Sequence, residues 1–333
     1  MAKFKPCPSN KRHNETGAAL ILVLGIVSVM SAAAVFSFEN LSRLIQTATA
    51  LQVQSQAREY ALAGEVYGFS NAQQMHVRQA DILALQAEGK NKISMPLDNG
   101  EIDGELVETS NCFNIASLVS GTSREGWRAK PEAIVQFAAL LEFFNLGQGA
   151  ARAISSAVAD WQDSDNRPLT YGAEDGYYAD ESRPYRTAGA PMTSLSELLL
   201  VRDVTPELVE ALGDLICVDP LAPQTRLNVN SLQPKHAPLV RALLGGDYAI
   251  KQVEDLIAAR PMRGYDHARW FWQNGLFVAQ PPKKAVKAHF DVYPVRFRLT
   301  VNVAYHQVRV RLKSMAHFYR NGGYTVIMRE FGA

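Results

Sequence analysis

The strongest hydrophobic pattern lies near the N-terminus, where residues 18–38 contain no charged side chain. As an α-helix this stretch measures about 31 Å, enough to cross the hydrocarbon core of a membrane. Beyond Glu39 the pattern turns amphipathic, and no proline follows Pro8 until Pro96. It therefore predicts one helix from residue 18 to about residue 76, apolar in its first half and amphipathic in its second.

Alternation of apolar and polar residues predicts strands at two distant places in the chain. One strand covers residues 101–108, and three more cover 290–305, 307–319 and 324–331, with Asn321-Gly322-Gly323 as a hairpin turn. We expect the four strands to form one antiparallel sheet packed on the N-terminal helix. Residues 77–99, just before the first strand, look irregular.

Short helical runs fill the chain between these strands. Phe113–Leu118 recurs in character at Leu227–Leu232, and each copy precedes a helix–glycine–helix pair. Residues 162–192 lack periodicity and are rich in Asp, Gly, Pro and Tyr, so we expect a long loop there. The pattern predicts an all-α insert of two related units within an α+β fold.

Composition fits a globular protein with one membrane segment, because 47% of the 333 residues are hydrophobic and 20% are charged. The net charge of +1 hides an asymmetry: residues 113–280 carry −5 and residues 281–333 carry +8. The acidic insert argues against nucleic-acid binding, which needs a basic footprint. The seven histidines show no metal-ligand spacing and no hydrolase or phosphate-loop motif is present, so we do not expect an enzyme.

The basic leader and the apolar stretch meet at Gly17. This junction resembles a type IV prepilin leader, which a prepilin peptidase cuts after the glycine to leave Ala18 as the first mature residue. A secretory signal peptide would have a shorter apolar run, and an uncleaved signal anchor is the other alternative. The basic flank places the leader in the cytoplasm and the bulk of the chain outside.

Five acidic residues gather in and beside the long loop: Asp160, Asp163, Asp165, Glu174 and Asp175. Calcium takes six to eight oxygen ligands in flexible geometry, and such carboxylates can supply several of them. The spacing is not that of an EF-hand. The alternative is a solvated acidic loop that caps helices.

The chain has three cysteines, Cys7, Cys112 and Cys217. Cleavage after Gly17 removes the first of them. In an oxidising compartment the remaining two would form a disulfide, and the alternative is two independent buried thiols.

Several motifs together resemble one family, the K-type minor pseudopilins of the bacterial type II secretion system. They lie at the Gly17 junction and at residues 111–115, 160–165, 172–178, 184–186 and 227–230. The resemblance covers essentially the whole chain. The set is far more specific than any single motif.

The resemblance implies a pilin-like fold with a large α-helical insertion between strands. It divides the chain into a leader (1–17), a transmembrane half-helix (18–38), a first pilin-like part (39–110), the insert (111–280) and a second pilin-like part (281–333). It also implies calcium binding in the insert, and a place at the tip of a periplasmic fibre that is rooted in the inner membrane and exports folded exoproteins.

The partners implied are the I- and J-type minor pseudopilins with the H-type subunit below them, the prepilin peptidase and the inner-membrane assembly platform. Secreted exoproteins are further candidates, and nucleic acid is not expected. A minor pilin of a type IV pilus or DNA-uptake machine is the alternative function.

The fifth mature position is Leu22, where most pilins have a glutamate that can pair with the N-terminal amine of the neighbouring subunit. An unpaired carboxylate in the bilayer is costly, so its loss suits a subunit with no such neighbour. Ala18 as first residue leaves N-methylation open.

Overall fold

The computed structural model describes residues 15–77, 91–222, 224–245 and 247–332. Most of the predicted leader, residues 1–14, lies outside this range. The described chain begins with a 63-residue helix, α1, over Glu15–Val77. Two compact units divide the chain, residues 1–58 and residues 59–333, and α1 contributes to both.

The first unit contains the apolar part of α1. Its large apolar side chains are exposed, Leu22 at 64% among them. By length and composition the helix from Ala19 could span a membrane. Such exposure suits a lipid environment, because apolar surface of this extent is rare on soluble proteins.

The second unit is built on a five-stranded antiparallel sheet with strand order β1-β2-β9-β10-β11. The five strands cover Lys92–Leu97 (β1), Gly100–Glu108 (β2), Arg296–Tyr305 (β9), Val308–Phe318 (β10) and Tyr324–Gly332 (β11).

One face of this sheet packs on the C-terminal part of α1. Alternate residues of the central strands are buried, including Ile102, Leu299 and Val301. At Gly68 an added Cβ would lie 2.6 Å from Leu299 Cδ2, so the helix approaches the sheet more closely than a larger residue allows. The predicted α+β fold, a long helix on an antiparallel sheet, is confirmed.

Two details differ from the sequence prediction. The stretch 77–99, expected to be irregular, contains the edge strand β1, while residues 78–90 lie outside the described chain. The expected strand over 290–305 begins only at Arg296. β1 is short and contains Pro96, so its sequence shows little strand pattern. Its backbone pairing with β2 stabilises it as a strand.

The insert lies between β2 and β9. Its helices cover Pro131–Glu142 (α2), Gln148–Asp160 (α3), Asp175–Ala179 (α4), Pro206–Leu212 (α5), Ala237–Leu244 (α6), Ile250–Ala258 (α7), Ala268–Phe271 (α8) and Gly275–Ala279 (α9). Short 3-10 segments cover Ile115–Leu118, Leu195–Leu200, Gly213–Leu215, Pro234–His236 and Lys284–His289. Small strands cover Phe113–Asn114 (β3), Val119–Thr122 (β4), Gly126–Ala129 (β5), Ile216–Cys217 (β6), Leu227–Asn228 (β7) and Phe290–Asp291 (β8).

The weak sequence repeat corresponds to a repeat in structure. In the first copy β3 pairs in parallel with β6, and in the second β7 pairs in parallel with β8. Each copy ends its first strand with an asparagine, Asn114 or Asn228, whose side-chain oxygen accepts a hydrogen bond from the backbone N–H two residues on. This local bond starts the turn that follows.

The insert is therefore mainly helical, with short parallel strand pairs closing each repeat. The loop expected over 162–192 contains one short helix, α4, because tertiary packing orders a segment without periodicity. Tyr178 in that helix is fully buried against Trp161 and Tyr185.

Candidate metal centre

The acidic site begins at the end of helix α3. Its last residue, Asp160, has no exposed surface, and its carboxylate accepts hydrogen bonds of 3.1 and 3.2 Å from the Leu169 backbone N–H. Gly172 lies so close that an added Cβ would be 1.8 Å from Asp160 Oδ2. Only glycine leaves room for the carboxylate here.

Two further carboxylates join Asp160. Asp163 lies three residues beyond Asp160, and Glu174 is the N-cap residue of α4, so the two come from opposite ends of the loop that joins α3 to α4. Each is 4% exposed. One oxygen from each of the three residues lies within 4.8 Å of the others.

Three oxygens in this cluster lack partners. Asp163 Oδ1 and both carboxylate oxygens of Glu174 are buried without a hydrogen bond from any described residue. A buried anion without a partner costs several kcal/mol in order of magnitude, unless it is neutralised or bound to a cation. The cluster thus has the donor set that a hard, oxygen-seeking cation requires.

The pKa values of the cluster show the same imbalance. Burial raises the pKa of Glu174 to about 8, and the neighbouring Asp163 and Asp160 raise it further. Burial also raises the pKa of Asp160 to about 7, against the Leu169 hydrogen bond, and that of Asp163 to about 6. Without a cation, the three groups resist full ionisation near neutral pH.

Hydrogen bonds from Arg202 and Gln162 hold the walls of the site. The Arg202 guanidinium holds the loop by donating to the Gly172 carbonyl at 2.9 Å and to the Tyr171 carbonyl. Gln162, fully buried, donates to the Ile115 and Val158 carbonyls and accepts from the Met192 backbone N–H. These bonds fix the loop between Asp160 and Glu174.

The structure brings together Asp160, Asp163 and Glu174 but leaves out two of the five predicted residues. Asp165 is exposed and accepts the Arg167 backbone N–H. Asp175 accepts from the backbone and the hydroxyl of Thr187, both at 2.9 Å. Asp175 has its own protein partners, and its predicted role as a ligand has no support in its contacts.

The two cysteines of the second unit form a disulfide. Cys112 and Cys217 have a Cα–Cα distance of 5.7 Å and are 105 residues apart in sequence. The bond connects Cys112, at the start of the insert, with Cys217 in β6, at the end of the first repeat. Free thiols, the alternative considered from sequence, are not what the structure contains.

The predicted cleavage residues Gly17 and Ala18 lie within helix α1, and so does Leu22. Glu65 is another buried carboxylate, and it pairs with Arg329. This pair was not predicted from the sequence. The signal that could have predicted a buried charge was an acidic residue among the apolar and small residues on the packed face of α1.

Two family models described as "Type II secretion system (T2SS), protein K" match residues 111–221 and 227–292, just over half of the chain. The chain is also 33% identical over 273 residues to the type II secretion system protein K of Pectobacterium carotovorum subsp. carotovorum, a match covering 80% of this chain and 81% of the relative. The chain belongs to the type II secretion system protein K family.

A second relative matches over more of the chain. Protein K of Klebsiella pneumoniae is 29% identical over 330 residues, covering 96% of this chain and 97% of the relative. The fold resembles a chain in the crystal structure of the GspK-GspI-GspJ complex from the enterotoxigenic Escherichia coli type 2 secretion system. That likeness has a TM-score of 0.61 at 21% identity and covers 79% of this chain and 97% of the solved one.

The protein K family assignment confirms the resemblance drawn from the motifs. All of the motifs beyond the leader lie inside the two matched segments, and residues 160–165 and 172–178 carry the acidic cluster.

Proposed function

We propose that this chain is a minor pseudopilin at the tip of the type II secretion pseudopilus, where it assembles with I- and J-type minor pseudopilins and supports export of folded proteins. The observation that carries the proposal is the protein K family membership of a chain whose long N-terminal helix contains the uncharged stretch 18–38. A related solved chain comes from a complex with GspI and GspJ.

Two features of this chain support the tip position. Leu22 at the fifth mature position offers no carboxylate to a neighbour's N-terminal amine. The insert of residues 111–280 adds bulk that would hinder another subunit from stacking above it. The helix anchors the chain in the inner membrane, and its second unit lies in the periplasm, an oxidising compartment that suits the disulfide.

Co-purification tests the assembly. The full-length chain is expressed in membranes with tagged I- and J-type pseudopilins and extracted in mild detergent. A stable ternary complex is expected, with an H-type subunit recruited below it. A chain that co-purifies with neither partner contradicts the proposal.

Leader processing is tested with a matched pair of glycine variants. Gly17→Leu should block the prepilin peptidase, whereas Gly25→Leu lies within the apolar helix where an added Cβ meets nothing within 4 Å. Intact mass and N-terminal sequencing should show Ala18 as the first residue of the wild type and of Gly25→Leu. Gly17→Leu should keep its leader, and a wild-type chain starting elsewhere contradicts the proposal.

We also propose that the acidic cluster binds Ca²⁺. The support is its donor set: three carboxylates whose nearest oxygens lie within 4.8 Å, with three buried oxygens lacking partners. Asp160, Asp163 and Glu174 would hold the ion, and backbone oxygens and water would complete six to eight ligands. A bound ion would neutralise the cluster and fix the loop over the Trp161–Tyr178 core.

A further inference from the structure

A cavity separate from the acidic cluster lies where the insert joins the sheet. Its volume is about 120 Å³, against roughly 10–15 Å³ needed for one water, so it accommodates a group of several heavy atoms. Its charged lining residues are Arg226, Arg296, Arg320, Asp219, Asp291 and His317.

Arg296 is the central group of this wall, and it is only 4% exposed. Its Nη2 donates to the Thr109 carbonyl at 2.7 Å and lies 2.7 Å from Cys112 Sγ, and its Nε donates to Thr109 Oγ1 at 3.2 Å. The third nitrogen, Nη1, is buried and has no hydrogen-bond partner among the described residues. Since the guanidinium is planar, Nη1 lies on the edge turned away from Thr109.

The two carboxylates of the cavity are already engaged elsewhere. Asp219 is paired with His317, whose Nδ1 lies 2.6 Å from Oδ2, and also accepts the Leu221 backbone N–H. Asp291 forms an ion pair with Arg320 and accepts the Val292 backbone N–H at 2.9 Å. Neither carboxylate forms a hydrogen bond or ion pair with Arg296.

Arg226 is the second guanidinium without a carboxylate. It lines the cavity half-buried and forms no hydrogen bond or ion pair with any residue that the structure describes. Three guanidinium groups therefore face two carboxylates, and these five groups together carry a net charge of +1.

We infer that this cavity is a binding site for a small oxyanion, a carboxylate or a phosphate-type group, held by Arg226 at the wall that Arg296 forms. Guanidinium groups recognise these anions through charge-assisted, often bidentate hydrogen bonds. A bound oxyanion would balance the excess positive charge of the cavity. The site is independent of the calcium proposal and of the position in the fibre.

Isothermal titration calorimetry of the full-length chain in neutral detergent micelles tests the inference. Sodium phosphate and sodium acetate are titrated at constant ionic strength set with sodium chloride. Saturable binding of at least one of them is expected. Arg226→Gln should weaken it about tenfold, the loss typical of one charged hydrogen bond.

Arg298→Gln is the matched control. Arg298 is also half-buried, and its substitution removes the same charge near Arg296. It lines the neighbouring cavity, which Arg296 also borders, and not the cavity that Arg226 lines. It should bind phosphate or acetate as the wild type does. Arg226 is the primary test because its loss leaves the Thr109 bonds of Arg296 intact. No saturable heat with either anion, or equal weakening by both variants, overturns the inference.

Two further titrations identify the source of the anion. A short peptide with a free C-terminal carboxylate is compared with the same peptide as its amide. Binding of the acid form alone supports the site and indicates a protein carboxylate as the ligand. Binding of phosphate without either peptide supports the site and indicates a free oxyanion.

Discussion

The second unit contains a single buried carboxylate, Glu65, and a cluster of three. The two places differ in how the buried negative charge is balanced. Glu65, 2% exposed on α1, accepts hydrogen bonds from Arg329 Nε and Nη2 at 2.7–3.0 Å and from the Ser314 hydroxyl. Its negative charge is balanced within the protein, by the last strand of the sheet.

The acidic cluster lacks any such internal balance. Asp160, Asp163 and Glu174 are equally buried, yet three of their oxygens have no described partner, and burial raises the pKa of each group. Glu65 is as buried as the cluster but is paired within the protein, so burial alone does not indicate a ligand site. What distinguishes the cluster is that no cationic side chain among the described residues forms an ion pair with it.

The largest expected effect comes from breaking the internal pair. Arg329→Gln would leave Glu65 buried with only Ser314 as a partner. Leaving the buried Glu65 carboxylate without its cation should cost about 3 kcal/mol of the free energy of unfolding, the low end for a buried pair because the Arg329 side chain is 49% exposed and partly screened by solvent. Denaturant unfolding measures this loss, which should be the same with calcium and with chelator.

The control for this variant is Arg311→Gln on the neighbouring strand. Arg311 is exposed and hydrogen-bonded only to Asn302 among described residues, so the loss should stay below about 0.5 kcal/mol. Equal losses in the two variants would show that the Glu65 pair is no more than a surface contact.

Calcium removal is expected to have the next largest effect. At a free Ca²⁺ concentration one hundred times the dissociation constant, binding stabilises the folded chain by about 2.7 kcal/mol. Melting the wild type with Ca²⁺ and with chelator measures the difference. Identical melting curves, together with no heat on calcium titration, would refute a metal site in the cluster.

His236 illustrates a third solution, in which a buried titratable group stays neutral. Its Nδ1 accepts the Gln233 backbone N–H at 2.9 Å. Burial lowers the His236 pKa to about 4, and the nearby Lys235 lowers it further. Since the unfolded value is about 6.5, the unfolded chain binds more protons between these values. Stability is therefore complete above pH 6.5 and is lost as the pH falls toward 4.

His236→Asn keeps an acceptor for Gln233 but removes the titration. At pH 5 the wild type should have lost about 2 kcal/mol relative to pH 7 from this residue, and the variant should not show that loss. Unfolding at both pH values in excess Ca²⁺ measures it. The exposed His267→Asn serves as control, and an unchanged pH slope in His236→Asn would disprove the assignment.

The smallest effect separates members of the acidic cluster from their neighbours. In chelator, Asp163→Asn should raise the free energy of unfolding by about 1 kcal/mol, because it removes one of three buried like charges. It should also abolish the response to Ca²⁺. Asp165→Asn, exposed and outside the cluster, should keep that response. Loss of the response in both variants would argue against the three-residue set.

Local sequence patterns were sufficient for most of the fold. The uncharged stretch and the later amphipathic pattern predicted α1, and alternation predicted β2, β10 and β11 with small errors at their ends. Ser194 and Thr205 are residue types favoured at helix starts, and both side chains cap the segments that follow them. These features depend on residues close in sequence, which is why the sequence contains them.

The site was predicted only in outline. The sequence placed five acidic residues in one loop, but three of them meet and two do not, because Asp165 and Asp175 bind groups in their own neighbourhood. Selection among neighbours requires the path of the loop. That path depends on Arg202, Gln162 and the packing of Tyr178, which sequence spacing does not specify.

By itself, the sequence determined the membrane-length helix, the order of strands around a helical insert, the repeated asparagine turns and the family. Only the tertiary structure decided that β1 joins the sheet, that Glu65 meets Arg329 across 264 residues, and that Arg296 leaves one nitrogen unpartnered. Periodicity and capping are properties of neighbouring residues. The balance of a buried charge depends instead on groups that only the folded chain brings together.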